Sequence, residues 1–158
     1  MKIELTENPL KELGLALGVG VLAGLAGTTA ITLSQLIEMR LTNRPPSKAP
    51  VKAVSKVLDM KPTKKRKKEK VAQEIHWTYG TAWGMARGLI TLTGLKGWPA
   101  TLAHFAAITS TAMTLLPKLE IAPPVTEQDP KTIAIDTLHH AVYAVAAGLA
   151  YDAITQET

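Results

Sequence analysis

All four histidines of this 158-residue chain fall inside or at the edge of apolar stretches, and three of them lie close in sequence to carboxylates. Asp136 precedes His139 by three residues and His140 by four, so on a helix the carboxylate shares a face with either imidazole. Glu74 stands two residues before His76, and Glu38 closes the first apolar stretch. Brought together, Glu38, Glu74, His76, Asp136, His139 and His140 would make a carboxylate and imidazole shell suited to zinc, iron or manganese. The Asp136-x-x-His139 spacing matches the carboxylate-x-x-His motif of di-metal helix bundles, although the chain carries it once where a complete site uses it twice. His76 and His140, facing each other, could equally be the axial ligands of a haem. The cofactor expectation is therefore a transition metal or a haem, set against histidines that hydrogen-bond carboxylates or carbonyls as packing groups.

Arg87 and His104 form a second constellation. Both lie deep in apolar stretches, at similar depth, and Arg87 keeps its proton at any working pH. It must face other helices, find a partner or snorkel outward. His104 can accept from it, and Asp152 is the obvious counter-ion if it bends inward. Such a group can clamp helices or line an anion path.

Other chemistry is excluded or unsupported. The chain has no cysteine, which removes disulfides, thiolate metal sites, iron–sulfur clusters and cysteine nucleophiles. No nucleophile occurs with its base and orienting group, and Gly18-x-Gly20 lies within an apolar stretch without a preceding strand, so it is no dinucleotide fingerprint. No catalytic set is complete.

The elements that must position these residues are four apolar stretches, 13–37, 75–95, 97–117 and 132–151, each meeting the roughly 20-residue length of a membrane-crossing helix. Charged residues inside them are limited to Arg87 and Asp136. The fold class expected is all-α: an integral membrane four-helix bundle forming a single domain over 1–158. The segment before the first stretch carries Glu4, Glu7 and Glu12 and lacks a positive n-region, so that stretch reads as a retained helix and not a signal peptide. Twelve of the eighteen basic residues lie in the connection 41–72 or just before it, from Arg40 to Lys70. By the positive-inside rule the expected location is the cell membrane, with that basic loop cytoplasmic and both termini outside. Pro45-Pro46 ends the first helix. Val51, Val54, Val57 and Leu58 predict a short interfacial helix over 49–60. The lysine-rich run 64–70 is expected to meet anionic lipid headgroups, and its place between two spans argues against nucleic acid.

Two aligned blocks suggest an internal duplication. Thr28 to Leu33 with Glu38 pairs with Ser110 to Leu115 with Glu120, and His76-x-x-Tyr79 pairs with His140-x-x-Tyr143. The architecture would then be two parallel two-helix hairpin repeats. Small residues at four-residue spacing, Gly14 with Gly18, Gly20 with Gly24, Gly80 with Gly84 and Gly88, and Ala144 with Gly148, permit close helix packing within the bundle or with a homo-oligomeric or membrane protein partner.

Ala23-Gly24-Leu25-Ala26-Gly27-Thr28-Thr29-Ala30, Arg44-Pro45-Pro46-Ser47 and His140-x-x-Tyr143 together resemble a family of small multi-pass membrane proteins of bacteria. That resemblance implies membrane location and brings no activity with it. The function expected is a four-helix integral membrane protein serving as an interaction or assembly subunit. The rival expectations are a metal- or haem-binding membrane protein and a small dimeric transporter or channel.

Overall fold

Asn8 begins the first helix, α1 (Pro9–Thr42), where its side-chain oxygen accepts from the Lys11 amide at 3.2 Å and Pro9 takes the first helical position, which needs no donor. In this computed structural model residues 8–45, 49, 52, 55, 56 and 65–156 are described, with 65–69 as backbone only. Asn43, left-handed at φ 57°, ends α1, and Pro45 bars its continuation. Thr28, Thr29 and Thr32 each return their hydroxyl to the carbonyl four residues earlier, so the apolar helix carries hydroxyls at no cost in unmet polar groups.

The second helix, α2 (Lys65–Leu92), begins ten residues before the apolar stretch predicted to start at Ile75 and stops before its predicted end at Leu95. The basic connection is correspondingly shorter than 41–72. Lys, Arg, Glu and Gln favour helix as strongly as leucine does, so the charged run 65–74 prolongs the helix that hydropathy alone would begin later. The predicted helix 49–60 lies largely outside the described residues, of which Ala49, Lys52, Ser55 and Lys56 are helical.

A turn over 93–96, with Gly94 at φ 91°, leads into α3 (Gly97–Lys118). Glu120, at φ 53°, lets the amides of Glu120 and Ile121 return to the Pro117 and Leu116 carbonyls and close that helix. After a 3₁₀ turn at Val125–Glu127, Asp129 caps α4 (Pro130–Gln156), accepting from the Thr132 amide and hydroxyl at 3.0 and 3.1 Å.

The four helices form an all-α bundle in which α1 packs most closely on α2 and α4, while α3 closes on α4 and more lightly on α2. The α1–α2 seam is backbone against backbone. A Cβ on Gly20 would stand 2.6 Å from the Gly84 carbonyl, and one on Gly24 would stand 2.5 Å from that of Thr81. Gly80, Gly84 and Gly88 face Thr28, the Gly20–Gly24 turn and Ala16 as closely from the other side. Gly27 makes room for the Tyr143 ring, and Gly148 for Thr101. A Cβ on Gly14 or Gly18 would meet nothing within 4 Å among the described residues, so these two do not serve the close seam.

The interior is made of small and polar side chains. Ala16, Ala23, Ala100, Ala144 and Ala147 are buried with Thr28, Thr101, His104, His139 and Arg87, and the larger apolar groups among them are Ile108, Tyr143 and Tyr151. Most leucines lie outside, with Leu22, Leu33, Leu102 and Leu149 each more than half exposed. Among the described residues two helices, α1 and α4, are long and apolar enough to cross a membrane.

Candidate functional site

The end of the bundle that carries the α1–α2 and α3–α4 connections holds a cavity of about 490 Å³. Its walls come from all four helices, and the segment 121–129 forms its rim. Light packing between α2 and α3 leaves this space. Trp83 on α2, Ile108 and Leu116 on α3 and Ile133 on α4 provide an apolar body, while His76, His139 and His140 bring three imidazoles to the lining. Tyr143 crosses the base, its ring in the gap left by Gly27 and its hydroxyl donating to the Gly80 carbonyl.

Each imidazole is held differently. The Thr32 hydroxyl gives its proton to the Thr28 carbonyl at 2.6 Å, so the 2.9 Å contact with His76 is a donation from His76 Nε2 to Thr32. His76 Nδ1 is then left as an acceptor. His139 Nδ1 pairs with the Ser34 hydroxyl at 2.9 Å, and its Nε2 lies 3.8 Å from Glu38, too far for a hydrogen bond.

The six predicted metal ligands do not share one centre. Among the described residues no group of three or more His, Asp or Glu side chains is placed to hold a metal ion. Arg44 separates them. Its Nε reaches Glu38 at 3.3 Å, and both terminal nitrogens reach one oxygen of Asp136 at 3.1 Å, so the carboxylates are neutralised by guanidinium and not drawn onto the histidines. Asp136 thus pairs across to α1's end instead of along its own helix to His139 or His140. Glu74 is exposed and stands 3.8 Å from Lys70, away from the cavity. His76 and His140 do share the cavity lining, as the haem expectation required of them, without thereby defining a haem site.

The second constellation is also rearranged. Arg87 is fully buried and donates to Asp152 at 2.6 Å and to Thr91 at 2.6 Å, with its guanidinium 4.7 Å from the centre of the Tyr151 ring. His104 is not its hydrogen-bond partner. His104 Nε2 donates to the Trp83 carbonyl at 2.8 Å, tying α3 to α2 one turn before Arg87. This layer closes the bundle at the end away from the cavity.

Two contacts at the cavity end had no place in the sequence reading. Lys56 donates to Glu120 at 2.8 Å and to the Leu119 carbonyl at 2.7 Å, which fixes the basic connection against the end of α3. Lys56 beside it holds the Glu120 carboxyl below the usual range, and the Thr132 amide and hydroxyl do the same for Asp129. Glu38 and Glu120, equivalent in the proposed repeat, each receive a basic side chain from the chain that follows α1. The other symmetry-related pair differs, for Tyr143 is buried whereas Tyr79 is 46% exposed. The signal for Arg44 was its position after Asn43 and before two prolines, a sequence that turns the chain sharply back.

Fold and site define an all-helical bundle with a cavity at one end and a buried ion pair at the other. No protein-family model, curated protein or solved structure matches the chain.

Proposed function

We propose that this chain is a four-helix integral membrane protein that acts as an interaction or assembly subunit, without catalysis, with all four helices crossing the bilayer. The observation that carries the reading is the inverted distribution of side chains. Leucines are turned outward on every helix, whereas alanine, glycine, threonine, histidine and a buried arginine fill the interior. In water such a molecule would expose its most apolar groups and bury its most polar ones, opposite to the usual partition. In lipid the arrangement is favourable, because leucine contacts acyl chains and small residues let backbones meet. The length and hydropathy of α1 and α4 add support. On this reading the basic connection lies on the cytoplasmic side against anionic lipid, and the termini lie outside.

Because the chain has no cysteine, single cysteines report sidedness without background. With Glu12→Cys, a membrane-impermeant maleimide should label intact cells. With Lys52→Cys it should label only after permeabilisation, and the protein should stay in the membrane pellet through alkaline extraction. Labelling of both positions from one side, or release into the supernatant, would refute the proposal.

A further inference from the structure

The cavity has a charge pattern that selects among ligands. Its volume of about 490 Å³ lies within the usual range for sites that enclose a small organic molecule. Among the described residues no lysine or arginine lines it, while Glu127, Asp129 and Asp136 do. Asp136 shares its charge with Arg44, but Glu127 makes no ion pair among the described residues. Asp129 is satisfied chiefly by the neutral Thr132 donors, with a weaker contribution from Lys131, which lies two residues on and outside the lining. Among the described residues the uncompensated charge at the rim is therefore negative, although the chain as a whole carries +5. Deeper in, His76 Nδ1 is left as an acceptor, and the buried His139 Nε2 makes no hydrogen bond among the described residues. Tyr79 and Trp83 meet edge to face at 6.2 Å and add aromatic surface of the kind that attracts a cation.

We infer that this cavity binds an amphipathic organic cation, with the apolar body among Trp83, Ile108 and Leu116 and the positive charge toward Glu127 and Asp129. An anionic lipid or fatty acid would bring like charge to that rim. A purely apolar molecule would gain nothing from the carboxylates or the imidazole lone pair. The inference does not depend on which partner the bundle assembles with, and it is measurable in detergent whether or not the proposed topology holds.

Three probes of one shape and different charge make the test: tetraphenylphosphonium, neutral tetraphenylmethane and tetraphenylborate. Each is titrated by equilibrium dialysis against the purified full-length protein in a mild non-ionic detergent, with empty micelles as the blank. Tetraphenylphosphonium should bind at one saturable site at least about tenfold more tightly than the neutral isostere. Glu127→Gln with Asp129→Asn should reduce that preference about tenfold and leave the neutral probe unchanged, since asparagine still caps α4. Ala112→Trp, which fills the lining, should abolish saturable binding of the phosphonium in a protein that still elutes as one species. Equal binding of all three probes, tightest binding of the borate, or phosphonium binding that survives both variants would overturn the inference.

Discussion

Asp152 is the residue on which the buried charge of Arg87 depends. The guanidinium is fully enclosed, and the carboxylate at 2.6 Å is its sole ionic partner among the described residues. Asp152→Asn keeps the shape and removes the charge, leaving a cation inside the bundle with Thr91 and the Tyr151 ring for company. Breaking one side of a buried pair costs about 3 kcal/mol or more, so a substantial fall in the detergent melting temperature is expected. An unchanged melting temperature would show that Arg87 is satisfied without Asp152. At the opposite end Glu120 makes the bundle sensitive to acid. Its carboxyl sits below its ordinary 4.5 because Lys56 hydrogen-bonds to it, so the contact is intact above that value and is lost as pH falls through the lowered one. A spin label at Lys52→Cys should gain mobility as the pH falls through the lowered carboxyl range, and with Glu120→Gln added that pH dependence should disappear. A label indifferent to both changes would deny that this pair anchors the connection.

At the scale of the element, the small-residue stripes were legible in the sequence because glycine spacing states where two backbones can come near, whereas their meeting across α1 and α2 is seen only in the structure. Gly20, Gly24, Gly80, Gly84 and Gly88 all serve that seam. Gly14 and Gly18 have the same spacing but no close approach among the described residues, which periodicity cannot reveal, since it states which faces are smooth and not which are covered. The two sets predict opposite outcomes. Gly84→Leu should force α1 and α2 apart and yield aggregated or unfolded protein in size-exclusion chromatography. Gly18→Leu should leave the four-helix bundle intact. If both variants elute as wild type, the close seam is not what holds the pair. The beginning of α2 was missed for a related reason. Apolar length marks the part of a helix that seeks a nonaqueous setting, whereas the charged turns from Lys65 onward continue it through backbone propensity.

For the whole molecule, helix number and fold class were legible, and the convergence of polar residues was not. Histidine and carboxylate positions gave correct neighbourhoods: Glu38, Asp136, His139 and His140 all lie at one end. Which of them touch was decided by Arg44, a residue whose charge reads first as a sign of sidedness. Its reach across to Asp136 depends on the left-handed turn at Asn43, a backbone event without a hydropathic signature. The cavity likewise depends on the segment 121–129 folding over the space between α2 and α3. The outward leucines are the property of the complete bundle, and the opposite labelling of Glu12→Cys and Lys52→Cys is the prediction that belongs to this scale.

The Arg87–Asp152 pair also sets an order of manufacture. The two residues are separated by 65 positions, and the ribosome delivers the cation first. If α2 enters a bilayer as it is made, its arginine lacks its carboxylate until α4 follows. The bundle is electrically complete only once Asp152 has joined it, and truncation before that residue would leave the guanidinium with Thr91 and the Tyr151 ring alone.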